Sequence, residues 1–244
     1  MSGLNIKLEC LESVGSTNSY LKEKARKGAP EGTLVIANSQ TAGKGRMGRS
    51  FYSPQGLGLY MSLLLRPHCD AGTVPSLTAF TAVAVCRAIE SVSKLKPEIK
   101  WINDITLGGK KVCGILCESS VSENGTDFAV IGIGLNVIDR VEDFPEALKE
   151  TAGSLYSEGD VIIERGTLAA AIVRELGTMY DSWCRDKTSY LAEYKARCRL
   201  LGEYLSIGGR DAIAEDISKD FGLAVRYLDG GRELLYSGEV SIRG

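Results

Sequence analysis

The chain has a single histidine, His68, in 244 residues, and that scarcity removes whole classes of chemistry. Ser-His-Asp hydrolysis, two-histidine zinc catalysis and histidine-rich metal centres all need imidazoles that are not there. His68 follows Pro67 and has no spaced metal partner, so it reads as a loop residue without catalytic duty. The seven cysteines are an odd number with no Cys-x-x-Cys pair, which argues against a disulfide framework and against a zinc site. They read mostly as small apolar residues in a reducing compartment. No apolar run approaches the roughly 20 residues of a membrane span, and the opening Met-Ser-Gly-Leu-Asn-Ile-Lys has no apolar signal segment. Excess charge is lacking too. Lys plus Arg total 29 against 31 for Asp plus Glu, a formal net charge of −2, so no global field draws the chain to nucleic acid or to an anionic membrane. These absences predict a cytoplasmic enzyme that works through binding and electrostatics.

On this near-neutral background, residues 43–49, Gly-Lys-Gly-Arg-Met-Gly-Arg, place three cations and three glycines in seven positions. That composition suits a loop that wraps a polyanion. It also matches Gly-x-Gly-x-x-Gly, but the dinucleotide-binding fold needs a helix directly after the loop. Residues 50–56, Ser-Phe-Tyr-Ser-Pro-Gln-Gly, read as more loop, and 57–66 as a strand. An anion is therefore expected on Lys44, Arg46, Arg49 and the glycine N–H groups themselves.

The remaining pattern predicts strands at 5–10, 33–38 and 128–137, and a buried helix at 74–94. Ser16-Thr17-Asn18 stands where the N-cap of a helix over 20–27 belongs. Residues 98–107 and 110–119 are expected as the arms of one hairpin around Gly108-Gly109. Within 98–107, alternation sends Lys100 and Ile102 to one face and Trp101 and Asn103 to the other. In Gly132-Ile133-Gly134-Leu135-Asn136-Val137, the same alternation puts two glycines and Asn136 on one face, leaving room for a ligand, and the apolar residues on the other. Gly114 opens a similar gap on a neighbouring strand. Helices dominate 164–199. The composition then shifts near Leu200 to five short strand candidates broken by glycine turns, the spacing of a small all-β barrel.

Taken together, Gln40-Thr41-Ala42-Gly43-Lys44-Gly45-Arg46-Met47-Gly48-Arg49, then Lys100-Trp101-Ile102-Asn103-Asp104, then Lys111-Val112-Cys113-Gly114-Ile115-Leu116 resemble biotin protein ligase. Ser16-Thr17-Asn18, the Gly132–Val137 run and Ser237-Gly238-Glu239-Val240 fall in the same order, so the resemblance covers nearly the whole chain. It implies an α+β fold, with a mixed-sheet catalytic domain at 1–199 and an SH3-like barrel at 200–244. It also implies an ATP-dependent enzyme that uses Mg²⁺, activates biotin as biotinyl-5′-AMP and passes it to a lysine of a biotin carboxyl carrier protein. The residues upstream of the motifs are too few for a helix-turn-helix domain, so the short form, without a DNA-binding role, is expected. A monomer or a homodimer fits this reading.

Site roles follow from the resemblance position by position. Lys100 and Arg46 are the expected catalytic residues. Biotin is expected against Ser16, Thr17, Asn18 and Gln40, the loop residues Gly43, Lys44, Gly45 and Arg46, and Lys100, Gly114 and Gly134. The nucleotide is expected on Lys44, Arg46, Arg49, Asn103, Lys111 and Asn136, with Asp104 at the Mg²⁺. Three positions depart from the family's usual pattern. Lys44 replaces an arginine, exchanging a bidentate fork for a point charge; Ile102 replaces a proline; Phe51 stands where tryptophan is common. Two rivals stay open: a lipoate ligase or octanoyltransferase, for which Cys113 or Cys117 near Lys111 would be the nucleophile, and a non-catalytic biotin- or nucleotide-binding regulator. Residues 200–244 carry no evident adenylation motif, so their expected contribution is to the transfer step.

Overall fold

Seven strands build one mixed sheet: β1 (Lys7–Leu11), β2 (Thr33–Ala37), β3 (Gly58–Leu65), β4 (Glu98–Lys100), β5 (Asp104–Leu107), β6 (Lys110–Ser122) and β7 (Gly125–Asn136), in the order β1-β2-β3-β7-β6-β5-β4. The computed structural model describes residues 4–67, 69, 71–122, 125–139, 144–157, 163–238 and 240–243. His68 and Glu239 thus lie outside the described residues. Within the seven, β1 and β2 pair in parallel and the other ladders are antiparallel. A parallel pair needs a crossover, and the helix α1 (Thr17–Arg26) supplies it.

The interior strand β3 is buried along its whole length because both faces of the sheet are covered there. Leu59, Met61, Leu63 and Leu65 point into the main core with α2 (Val74–Val92) and α3 (Arg165–Arg185). On the other face Leu64 packs with Val35, Phe128 and Val130 under Leu21 and Ala25 of α1. Each such side chain contributes about 1.5–3 kcal/mol by leaving water. α1 is only ten residues long and roofs only part of its face. The glycines of β6 and β7 lie on the part beside it, and that geometry makes the site.

The predicted arm at 98–107 is two strands. β4 ends at Lys100, residues 101–103 turn, and β5 begins at Asp104, which pairs back with Lys100. Trp101 and Ile102 therefore do not alternate between faces as expected: both are buried, each 5% exposed. The Gly108-Gly109 hairpin forms as expected, both glycines at positive φ. A short parallel pair, β8 (Ile138–Asp139) with β9 (Tyr156–Ser157), has no counterpart in the sequence reading.

The helical stretch at 164–199 divides into α3 and α4 (Leu191–Arg197), with Asp186 accepting from the Thr188 N–H and hydroxyl between them. Beyond α4 lie the five predicted strands: β10 (Tyr204–Ile207), β11 (Arg210–Ile217), β12 (Leu223–Tyr227), β13 (Arg232–Leu235) and β14 (Ser241–Ile242). They form an antiparallel sheet in the order β13-β12-β11-β10-β14. Among the described residues this sheet does not close into the expected barrel. β13 and β14 share no ladder, and β14 meets β10 through two residue pairs. Also among the described residues, no helix is long and apolar enough to cross a membrane.

Candidate active site

A cavity of about 250 Å³ opens beside α1 on the sheet face that the glycines leave bare. Its floor is Gly114 of β6 with Gly132 and Gly134 of β7; Gly114 and Gly134 are direct ladder partners. The bare strip holds side chains of the protein's own. A Cβ on Gly134 would come 2.6 Å from the Phe51 ring, and one on Gly114 would come 3.2 Å from it. A Cβ on Gly132 would strike the Asn18 carboxamide.

One end of the cavity is neutral and hydrogen-bonding. Ser16 is the N-cap of α1, as expected, accepting from the Ser19 N–H at 3.5 Å. Thr17 donates through its N–H and its hydroxyl to Gln40 Oε1, at 2.9 and 3.1 Å, and Gln40 Nε2 donates to Ser53 Oγ at 2.8 Å. Asn18 Nδ2 donates to the Leu116 carbonyl and to Glu118 Oε2. Ser62 Oγ lies 2.8 Å from Thr17 Oγ1 and 2.6 Å from Asn18 Oδ1. Burial works against ionisation of Glu118, but hydrogen bonds from Lys22 and Asn18 outweigh it and hold its carboxyl below the usual range. Sequence reasoning missed Ser62 and Glu118. The signal for Ser62 was present: one hydroxyl in the otherwise apolar run Met-Ser-Leu-Leu-Leu.

The other end is cationic. The 43–49 loop forms a tight turn, with Gly45 N–H donating to the Arg49 carbonyl at 2.7 Å, Arg49 N–H to the Arg46 carbonyl at 3.2 Å, and Met47 at φ 56°. The Gly45 amide is therefore used within the loop, contrary to the expectation that glycine N–H groups would serve the anion. Lys44, Gly45, Arg46 and Arg49 line the cavity. Gly43 does not. A Cβ there would lie 2.5 Å from the Phe51 carbonyl oxygen and 2.7 Å from Ser53 Oγ, so this glycine permits two loop arms to cross. Gly43→Ala is expected to destabilise the protein by about 1–3 kcal/mol. Thermal unfolding checks this, and an unchanged Tm would mean that the arms separate freely.

Facing the loop is the turn between β4 and β5. Arg46 Nη1 donates to Asn103 Oδ1 at 2.9 Å, while Asn103 Nδ2 and its carbonyl bond Ile115 of β6 at 3.0 and 2.9 Å. Lys100 lines the cavity and, among the described residues, has no ion-pair partner. Lys111 is paired with Asp104 Oδ1 at 2.7 Å. That oxygen is buried, and no other partner for it occurs among the described residues. Also among them, no group of three or more His, Cys, Asp or Glu is arranged to cage a metal. One carboxylate still fits Mg²⁺, which characteristically takes one or two carboxylates and completes its shell with substrate phosphates and water.

Asn136 stands outside the cavity, donating to the Gly153 carbonyl at 2.9 Å beside Tyr52 and Phe144. Trp101 and Phe51 line the cavity, as do Gly238 and Val240 from the connection between β13 and β14 and Ser241 of β14. Gly238 and Val240 belong to the Ser237–Val240 motif, which carried no assigned role in the sequence. Cys113 and Cys117 do not line it. Burial pushes the Cys113 thiol far up and that of Cys117 to about 12, so neither is a thiolate nucleophile at neutral pH.

The sequence pattern of the Biotin/lipoate A/B protein ligase family matches residues 10–136. The chain is 38% identical over 228 residues to the bifunctional ligase/repressor BirA of Bacillus spizizenii, covering 93% of this chain and 68% of that protein. It is 30% identical over 240 residues to the biotin--[acetyl-CoA-carboxylase] ligase of Mycobacterium tuberculosis, covering 94% and 86%. In structure it is similar to the biotin protein ligase from Aquifex aeolicus in complex with biotin and ATP, with a TM-score of 0.81, 28% identity, and 97% and 98% of the two chains covered. Motif order, fold and site agree: the chain belongs to the biotin/lipoate A/B protein ligase family.

Proposed function

We propose that the protein is an ATP-dependent biotin protein ligase, forming biotinyl-5′-AMP and transferring the biotinyl group to a lysine of a biotin carboxyl carrier domain. The observation that carries this reading is the two-ended cavity. Neutral groups (Ser16, Thr17, Gln40) suited to an uncharged polar ring lie at one end, and the cations Lys44, Arg46 and Lys100 suited to two meeting anions lie at the other.

In the first step a biotin carboxylate oxygen attacks the α-phosphorus of ATP, and pyrophosphate leaves with the electron pair of the broken P–O bond. Carboxylate and phosphate repel until cations offset them, and Lys100 with Arg46 stands where that charge meets. Mg²⁺, when bound with the nucleotide, supplies further charge neutralisation, and Asp104 is the residue to hold it. In the second step the carrier lysine amine attacks the acyl carbon and AMP leaves. Between the steps, the loop tied to Asn103 by Arg46 keeps water from the mixed anhydride. We assign residues 1–199 to the catalytic unit and 200–244 to a second unit, on the composition change at Leu200 and the separate five-strand sheet.

Biotin-dependent exchange between ATP and pyrophosphate tests the reading. Exchange with biotin, followed by labelling of one carrier lysine, is expected; exchange with lipoate or octanoate alone would move the protein to the other branch of its family. Arg46→Gly removes both a fork for the adenylate phosphate and the bond to Asn103. It is expected to speed release of the intermediate by roughly 10- to 100-fold, since a charged hydrogen bond contributes about 1.5–3 kcal/mol. Stray labelling of bystander lysines would accompany it. Release at the parental rate would mean that the loop is not the lid.

A further inference from the structure

We propose that Tyr194 is a positioning residue for adenylate formation, acting from outside the cavity on the turn that carries Lys100 and Asn103. The inference rests on the ligase reading above. Tyr194 lies on α4 with its side chain fully buried, and its hydroxyl donates to the Ile102 carbonyl at 3.1 Å. Its ring meets that of Phe221 edge-on at 5.7 Å. The Phe221 carbonyl in turn accepts the Trp101 indole N–H at 2.8 Å. The two residues at the heart of the turn, Trp101 and Ile102, are thus each tied by a hydrogen bond to a part of the chain more than ninety positions away. Lys100 and Asn103 flank them.

The anchors are themselves fixed. Arg197 joins α4 to α2 with a pair of bonds to Glu90, at 2.8 and 3.0 Å, and Lys195 joins α4 to β11 through Asp216 at 2.6 Å. Phe221 has φ 61°, in the left-handed region that bulky residues seldom enter. Ser218 closes that turn, accepting the Phe221 N–H at its carbonyl and the Gly222 N–H at its hydroxyl. The carbonyl that receives Trp101 is therefore held in one direction. None of these bonds reaches the cavity through Tyr194 itself, which does not line it. Their effect is on where Lys100 and Asn103 stand, and a displacement near 1 Å at a reacting centre is enough to slow a reaction about 100-fold.

Tyr194→Phe keeps the ring and removes only the hydroxyl. Its kcat for biotin-dependent ATP–pyrophosphate exchange should fall roughly 10-fold or more, with a smaller change in the Kd for biotin, because Thr17 and Gln40 belong to a separate hydrogen-bond network. Tyr180→Phe is the matched control. It likewise removes only a hydroxyl from a buried ring, here one that donates to Glu31 Oε1 at 2.9 Å, and should lower Tm comparably with kcat unchanged. An unchanged kcat in Tyr194→Phe, equal slowing in both variants, or parallel loss of biotin affinity would overturn the proposal. Absence of exchange in the parent protein would instead overturn the ligase reading, and the inference with it.

Discussion

Lys100→Ala is expected to abolish adenylate formation, with a fall of at least 100- to 1000-fold in biotin-dependent pyrophosphate exchange and little change in Tm. The rate term follows from removing a fixed cation from between two anions in a site that excludes water, where one such stabilising group is characteristically worth that much. Stability should hold because Lys100 has no ion-pair partner among the described residues and its ladder bonds with β5 are made by the backbone. Lys111→Ala makes the comparison. It leaves Asp104 without its ion-pair partner and should lower Tm as well as rate. Unchanged turnover in Lys100→Ala would make that lysine a solvated strand end and shift the chemistry to the loop.

Removing residues 200–244 should eliminate both reaction steps together, against the expectation from sequence that a folded truncation would lose transfer more than adenylate formation. Trp101 would lose the carbonyl that accepts its indole, Tyr194 would lose the Phe221 ring it meets edge-on, and the main core would lose the buried Leu205, Ile217 and Phe221. The cavity would lose the wall at Gly238, Val240 and Ser241. Soluble yield, thermal unfolding and exchange activity of the shortened chain measure this. A folded truncation that still makes the adenylate but no longer labels the carrier would restore the sequence-based view.

What was legible in the chain was whatever local chemistry dictates. Ser16 announces a helix start, Gly108-Gly109 a two-residue turn, and Gly132-Ile133-Gly134-Leu135 a strand with one bare face; each stands as predicted. The errors lie where distant residues decide. Periodicity carried one strand through Trp101 and Ile102, because nothing within ten residues reveals that Phe221 and Tyr194 will bond both. Asn136 shares the glycine face but is drawn aside by the Gly153 carbonyl, in a segment with no pattern of its own. The closure of the last five strands was inferred from their spacing, which reports strand number and not whether the outer pair meets.

The bonding of Ser16, Thr17 and Asn18 bears on how such a protein diverges. Each residue serves the helix start, Gln40, or Ser62 and Glu118 at the same time as it walls the cavity. An altered ring specificity there would need several compensating replacements in one lineage. Phe51 is less encumbered, its ring lying over Gly114 and Gly134 by packing alone. Drift toward a bulkier or slimmer acyl group should therefore enter through position 51, by single substitutions, long before it touches the helix that the neutral end is built on.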